Sequence, residues 1–382
     1  FKKYKNISIL IISSLLSQAR IGDWESFTSP LIIHDLIELN GNIYCATEGG
    51  LLIYDTTDEK FTTLTNIDGL LNTHLNVIDE DMYGNIWVGG GSPSGMIQVY
   101  DPGDRKSMNE FDFDLTEIID FAIADTVVFA LYKQNLDFGI QKFLYDGIQW
   151  AHNDLMFSSW LNESGNISGF EIWNDSIFVA TEFGLYGGEI KNEPHEWERL
   201  FSVELTGNIS SIILNENELL IVVDNNPYKI VLNTMEVSSI QSSSSLVELL
   251  RTSTGELWGI QSGRKNLVKI ESGFTVSLSH KINELIQGDE HFLTGGTEAG
   301  IVLIDLESFN AEQKIPNAPL TNQFTAVTVL DDGRVVAGSK YGLAIKEDWG
   351  WRNIVETTGS ETIIHDQFHD NRFAADTIPV DF

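Results

Sequence analysis

Short apolar runs alternate with polar pairs along most of the chain, and the same phrase keeps returning. It reads as an apolar-rich strand, a polar turn, and a second strand of β-branched or aromatic residues. One copy lies in THLNVIDEDMYGNIWVGG (73–90); others are DLIELNGNIYCAT, FAIADTVVFAL, FEIWNDSIFVAT, SIILNENELLIVV, LLRTSTGELWGIQ, ELIQGDEHFLTGG and VTVLDDGRVVAGS. The turns are made of Asn, Asp, Gly or Thr, and such residues suit the positive φ angles of tight hairpin loops. Each copy therefore predicts a β-hairpin. The second strands are expected to begin at Ile43, Ile86, Val127, Ile177, Leu219, Leu257, Phe292 and Val335, at steps of 43, 41, 50, 42, 38, 35 and 43 residues. A third strand follows each hairpin (LLIYD, MIQVYD, IVLIDLE), and usually a more polar fourth one (KFTTLT, EWERLFS).

A period near forty with four antiparallel strands per unit is the signature of propeller blades, whose polar fourth strand forms the outer edge. No part of the chain beyond residue 19 carries a sustained apolar stripe at helical spacing. A parallel β-helix would have shorter coils and would lack the hairpin turns. The expected fold is thus all-β, a β-propeller of about seven to eight four-stranded blades. Eight units are countable, which allows one eight-bladed ring or seven blades and the start of a second propeller. The segment IGDWESF (21–27) looks like a fourth strand without its first three, and is expected to close the ring.

Residues 1–19 differ from the rest. Basic FKKYKN, an apolar ISILIISSLL and the small Ser17 and Ala19 have the layout of a secretory signal peptide. The apolar run is about ten residues, short of the ~20 that span a bilayer. The expected organisation is a signal peptide over 1–19, a propeller over 20–360, and a linker or the start of a further domain over 361–382. The lack of an initiator Met and of a terminating signal leads us to expect a piece of a longer protein.

Composition narrows the partners. The net charge is −33, and removal of Lys2, Lys3 and Lys5 with the leader leaves 20 basic against 56 acidic residues, or −36. Such a field repels nucleic acid and anionic membrane surfaces, so no nucleic-acid partner and no membrane insertion of the mature chain are expected. It suits a solvated surface in saline surroundings. The one cysteine, Cys45, excludes internal disulfides and reads as a buried, inert thiol.

The chain carries few motifs for chemistry. From Asp79 an EF-hand count places Tyr83 at position five and Gly90 at position twelve, where ligands are required. Asp79 and Asp81 read instead as acceptors for backbone N–H groups near the hairpin. The run Gly89-Gly90-Gly91-Ser92 has no helix behind it to bind phosphate, and reads as room to turn at a crowded inner rim. His365 and His369 would stand about 13 Å apart on an extended segment, too far for one ion. The other histidines, His34, His74, His152, His195, His280 and His291, are scattered. No catalytic residue, metal site or cofactor is expected.

Two stretches point to families. GLLNTHLNVIDEDMYGNIWVGG (69–90), with ATEGGLLIYDTTDEKFTTLT and ATEFGLY, resembles the two-component regulator propeller repeat. IGDWESFTSP followed by NIYCATEGGLLIYD is similar to the N-terminal propeller of PorZ-like proteins of the type IX secretion system. The match is poorest in the third and fifth units, where DTVVFALYKQ lacks the Gly-Leu step and NELLIVVDNNPYK the Ala-Thr. These resemblances imply a secreted, non-catalytic propeller of a Gram-negative bacterium, placed in the periplasm or at the cell surface. It would act through its surface as a protein- or glycan-binding module in secretion or envelope assembly. A sensor ectodomain of a two-component system, and a metal-dependent polysaccharide lyase or lactonase, are the alternatives.

Propeller ligands meet the face that gathers the loops between second and third strands and between blades. On it we expect Thr47, Glu48, His74, Trp160, Glu182, Phe183, Arg264, Lys265, Glu298, Lys340 and Tyr341 to contact a protein or glycan partner. Trp160, in the longest connection between blades, could stack on a sugar or pack on a partner.

Overall fold

The computed structural model describes residues 25–156, 161, 163, 165–288, 290–355 and 376–377. They build eight antiparallel sheets, each a meander of four strands in chain order: 33–64, 75–115, 117–156, 167–200, 209–239, 246–277, 282–314 and 324–355. We number these sheets 1 to 8. Sheet 8 gains a short parallel strand, Asp376–Thr377, beside Ile354 and Val355. Two 3-10 turns, Asn66–Asp68 and Pro194–Glu196, lie between strands. No helix among the described residues is long and apolar enough to cross a membrane. The expected leader, the residues beyond 360 other than 376–377, and both His365 and His369 fall outside the described residues.

Local chemistry explains the hairpins. Asn40 and Gly41 take φ of 53° and 75° between the first two strands of sheet 1, the paired left-handed conformation whose twist matches the strands it joins. Asp224 and Asn225, at 47° and 66°, do the same between the second and third strands of sheet 5. Second strands are the most buried: Ile43, Cys45, Trp87, Val128, Phe129, Ile177, Val179, Leu219, Ile221 and Trp258 are all enclosed. Fourth strands such as Lys60–Leu64 and Ala311–Lys314 carry the exposed positions.

The sheets stack face against face through apolar clusters that each draw on two neighbours. Ile78, Ile86 and Val88 of sheet 2 join Tyr44 and Leu51 of sheet 1, and Phe178 and Leu185 of sheet 4 join Leu219 and Ile221 of sheet 5. The first strands of sheets 1 to 7 lie side by side in chain order, and Ile282–Gln287 of sheet 7 packs against Ile33–Leu39 of sheet 1. Ile301 and Leu303 of sheet 7 share a cluster with Leu36, Cys45 and Leu52 of sheet 1. A Cβ on Gly296 would come within 2.6 Å of Ile33 and 2.7 Å of Leu36, so that seam needs glycine there.

Sheet 8 behaves differently. Its first strand, Phe324–Val329, is open to solvent, with Val327 64% and Val329 62% exposed. It is tied to the chain start: Asn322 bonds Ser29 on both backbone atoms, and Trp351 meets Phe27 edge to face at 5.2 Å. The ring-closing strand expected over 21–27 lies partly outside the described residues, and its described part, Glu25 to Phe27, pairs in no sheet. Sheet 7 is completed by its own fourth strand, Ala311–Lys314, which occupies the edge such a strand would need.

Candidate functional site

The first strands of the seven successive sheets enclose a cavity of about 360 Å³, lined by His34, Asp35, Asn76, Asp120, Glu171 and Glu248 among others. In each of these sheets the ladder slips by one residue near the start of the first strand, for example between Ile33 and Asp35 and between Ile282 and Glu284. Such a bulge turns two successive side chains away from the regular pleat. At the slipped positions stand His34, Asn76, Ser168, Ser210 and Asn283; beside them stand Asp35, Asp120, Glu248 and Glu284.

These side chains bridge every seam from sheet 1 round to sheet 7 and back. Asp35 Oδ2 accepts from Ile78 N at 2.9 Å, and Asn76 Nδ2 donates to Ile118 O at 3.0 Å. Asp120 Oδ2 accepts from Phe170 N at 2.9 Å. Ser168 Oγ donates to Ile209 O at 2.7 Å, and Glu171 Oε1 accepts from Leu214 N at 3.0 Å. Ser210 Oγ donates to Val247 O at 2.8 Å, and Glu248 Oε1 accepts from Leu285 N at 3.1 Å. Asn283 Nδ2 then donates to Ile33 O of sheet 1 at 2.8 Å. The acids of this cavity are therefore fasteners between sheets.

Enclosure favours the protonated form of these acids and of Asp79, which lies near Asp35 and Glu171. Burial pushes the Asp79 carboxyl up to about 8 and that of Glu171 up to about 7. Burial likewise raises Asp35, Asp120, Glu248 and Glu284, the last further through the Glu248 charge. The cation in the lining is Arg264, whose Nη1 donates to Ile282 O at 3.2 Å and Asn283 O at 2.9 Å and stands 3.9 Å from Glu248.

Above the cavity the loop face is built by one repeated device. Thr47, Thr181 and Thr297 each close the turn to the third strand: Oγ1 donates to the carbonyl of Gly50, Gly184 or Gly300 at 2.7–2.8 Å and accepts from Gly49, Phe183 or Ala299 N at 3.0–3.2 Å. Ser339 repeats it toward Gly342 and Tyr341. The turns are held to the start of their own sheet by backbone bonds, Glu48 N to Ile32 O, Gly91 N to His74 O, Glu182 N to Asn166 O and Glu298 N to Lys281 O. Both residues inside the turn are exposed at sheets 4 and 8, Glu182 with Phe183 and Lys340 with Tyr341, whereas at sheets 1 and 7 Glu48 and Glu298 reach outward and Gly49 and Ala299 are buried.

The structure accordingly sorts the residues expected to bind. Glu48, Glu182, Phe183, Lys265 and Glu298 stand exposed or half-exposed on the loop face of sheets 1, 4, 6 and 7. Glu182 is partly engaged with Asn166 N at 3.2 Å, and Glu298 pairs with Lys281 at 3.4 Å. Thr47 is fully buried and shapes its turn from beneath. Arg264 reaches inward to the cavity. Lys340 and Tyr341 belong to sheet 8, with the ammonium 4.8 Å from the Tyr341 ring, and so lie apart from the cavity lining. Trp160 falls outside the described residues. The structure adds exposed Leu71, Leu136 and Val203 to the same loops; only their apolar character inside polar turns could have flagged them.

Three residues from the loop face converge. The His34 and His74 rings lie 5.7 Å apart, and Glu48 Oε1 is 4.0 Å from His34 Nε2. His34 Nε2 is buried without a hydrogen-bond partner among the described residues. Burial, then the neighbouring His74, holds His34 below its ordinary value against the pull of Glu48. Sequence spacing left these histidines as unrelated.

Comparison with known proteins bears on the fold alone. No family model matches the chain, and no curated protein does. Among solved structures it is similar to the extracellular domain of BT4673 of B. thetaiotaomicron, assigned as a hybrid two component system, at 16% identity and a TM-score of 0.54. That match covers 89% of this chain and 48% of that one, so the chain spans about half of that relative. It is similar also to the WD40 β-propeller domain of Doa1 (10% identity, TM-score 0.55, 72% of this chain and 93% of that one). A computationally designed protein, Ika8, gives 14% identity and a TM-score of 0.51 over 82% of this chain and 95% of that one. The propeller fold is thereby supported.

Proposed function

We propose that the chain is a non-catalytic β-propeller that binds a protein or glycan through its loop face, outside the cell. In this reading sheets 1 to 7 close one ring and sheet 8 stands beyond it, as the first sheet of a further unit. The unbroken run of bonds from Asp35 to Asn283 and back to Ile33 supports seven members, and the open first strand of sheet 8 supports its exclusion.

One observation carries the binding role. Hydrogen-bonded turns and the connections between sheets present differing apolar side chains on one face, among them Phe183 at 48% in the Thr181 turn, Leu136 at 83% in the sheet 3 turn and Val203 at 83% between sheets 4 and 5. Apolar side chains fixed on well-bonded turns give contact area at little entropic cost. The acids that a lyase or lactonase would use are occupied in joining the sheets. The likeness to the BT4673 extracellular domain favours a sensor ectodomain as the second reading; a place in type IX secretion rests on the sequence resemblance alone.

The test is a paired substitution. One variant carries Leu136→Ser, Phe183→Ala and Val203→Ser on the loop face; the other carries Met82→Ser and Ile148→Ser on the opposite, hairpin face. Both are run with the parent chain on a glycan array and in pull-downs from envelope extract. Loss of the parent's ligand in the first variant alone is expected. Loss in the second alone would move the site to the other face, and no ligand in either format would sink the reading.

A further inference from the structure

We propose that His34, His74 and Glu48 form a site for a borderline divalent cation, Zn²⁺ foremost, at the mouth of the central cavity. The proposal goes beyond the binding role above and does not depend on it.

The geometry comes from three separate parts of the fold. His34 occupies the bulge of the first strand of sheet 1, Glu48 sits in the second-to-third strand turn of that sheet, and His74 immediately precedes sheet 2. One ligand atom from each lies within 4.8 Å of the others. A tetrahedral zinc ion with bonds of 2.0–2.2 Å needs donors roughly 3.4 Å apart. Closing the difference takes at most about 1.4 Å, a shift for side-chain rotation, and Glu48, at 37% exposure, has room to supply part of it.

The backbone beneath is fixed. His74 N donates to Asn72 Oδ1 at 3.0 Å, His74 O accepts from Gly91 N at 2.8 Å, and Glu48 N donates to Ile32 O at 3.4 Å. A Cβ on Gly91 would fall 2.8 Å from His74 Nε2, so glycine there leaves the imidazole the space it occupies.

Two further features favour a cation. His34 Nε2 is buried with no hydrogen-bond partner among the described residues, a cost that a metal bond removes. Two imidazoles and one carboxylate are also a donor set suited to zinc, with a fourth position left for water or a ligand oxygen. A calcium ion would want six to eight oxygens instead. The net charge of −33 raises the local concentration of any cation near this rim.

The full chain, stripped with chelator and dialysed into 0.15 M salt, is titrated with Zn²⁺ by calorimetry. It is then titrated with Co²⁺, whose visible absorption reports tetrahedral nitrogen and oxygen ligands. One equivalent is expected, with a Co²⁺ spectrum that Zn²⁺ abolishes and a hundredfold excess of Ca²⁺ does not. His74→Gln and Glu48→Gln should each weaken binding at least tenfold. Gly91→Ala, which leaves every donor in place but crowds His74, should weaken it too. Circular dichroism identifies any variant that has lost its fold, and Glu48→Gln, on an exposed turn, keeps the test alive if His74→Gln does. Less than a tenth of an equivalent, displacement by Ca²⁺, or binding undiminished from the parent's in folded Glu48→Gln and His74→Gln would overturn the site.

Discussion

Asp81 is the most heavily used carboxylate of the described residues, and its removal offers a sharp test of how the sheets are joined. Its Oδ1 accepts from Tyr83 N at 2.9 Å and Asn85 N at 3.0 Å, which fixes the hairpin of sheet 2. Its Oδ2 accepts from Trp87 Nε1 at 3.2 Å and from Trp150 Nε1 at 2.8 Å. Trp87 belongs to sheet 2 and Trp150 to sheet 3, and their rings meet edge to face at 5.2 Å. Asp81→Ala would leave two buried indole N–H groups without an acceptor, at about 1–3 kcal/mol each. With the lost turn bonds, which water partly replaces, and because neighbouring losses do not add fully, the total is roughly 3–6 kcal/mol. For a chain of this size about 1.5 °C of melting temperature accompanies each kcal/mol, so a fall of ~4–9 °C is expected. Asp81→Asn retains one carbonyl oxygen and should lose less. Thermal unfolding followed by tryptophan fluorescence and near-ultraviolet circular dichroism measures both. A fall below 1 °C for Asp81→Ala, or an Asn variant weaker than the Ala variant, would refute the assignment of Asp81 as the clamp between sheets 2 and 3.

Buried acids of the first strands make stability depend on pH in the less usual direction. Asp79 and Glu171 hold folded values near 8 and 7, above their ordinary 3.8 and 4.5, so the folded chain keeps protons that the unfolded chain releases. Their contribution is complete below about pH 4 and is lost as pH rises through 7–8; the melting temperature should be higher at pH 5.5 than at pH 8.5, and Glu171→Gln should flatten that slope. An unchanged slope in Glu171→Gln would remove Glu171 from the account. Gly296→Ala drives a Cβ into Ile33 and Leu36 at the seam of sheets 7 and 1 and should cost about 1–3 kcal/mol in chemical denaturation; no cost would mean that seam is loose. Thr297→Val removes the hydroxyl that serves Gly300 O, Ala299 N and Gln313 Nε2, and a loss of about 1–3 kcal/mol is expected by the same assay.

The strands were readable because each hairpin carries its own chemistry. The expected second-strand starts at Ile86, Val127, Leu257, Phe292 and Val335 coincide with the observed ones, and those at Ile43, Ile177 and Leu219 fall one residue inside them. Asn-Gly or Asp-Gly pairs report on a turn that lies wholly within a few residues. The three carboxylates at 79–81 were half readable. Both accept backbone N–H groups as expected, Asp81 from Tyr83 and Asn85 and Asp79 from Glu80, but the burial that raises Asp79 was not legible. Alternation ends with the strand at Glu80, so the two acids part company there.

What stayed hidden depends on the seams. His34 and His74 stand forty residues apart in the chain and meet because sheet 2 follows sheet 1 side by side. The cavity acids sit at or beyond a bulge, where one extra residue shifts the face to which each side chain turns, and a regular period of two cannot place them. Trp150 shows the same limit. It starts a fourth strand, the kind that forms a sheet's outer edge, yet the acceptor that draws it inward, Asp81, lies 69 residues earlier.

The single thiol has a practical use. Cys45 is wholly enclosed in the cluster where Leu36 and Leu52 meet Ile301, and burial pushes its thiol up, away from the reactive thiolate. A maleimide can reach it only when that junction parts. Its modification rate in the unaltered chain is thus a ready-made clock for the opening of the first sheet from the seventh, with no second sulfhydryl to confuse the signal.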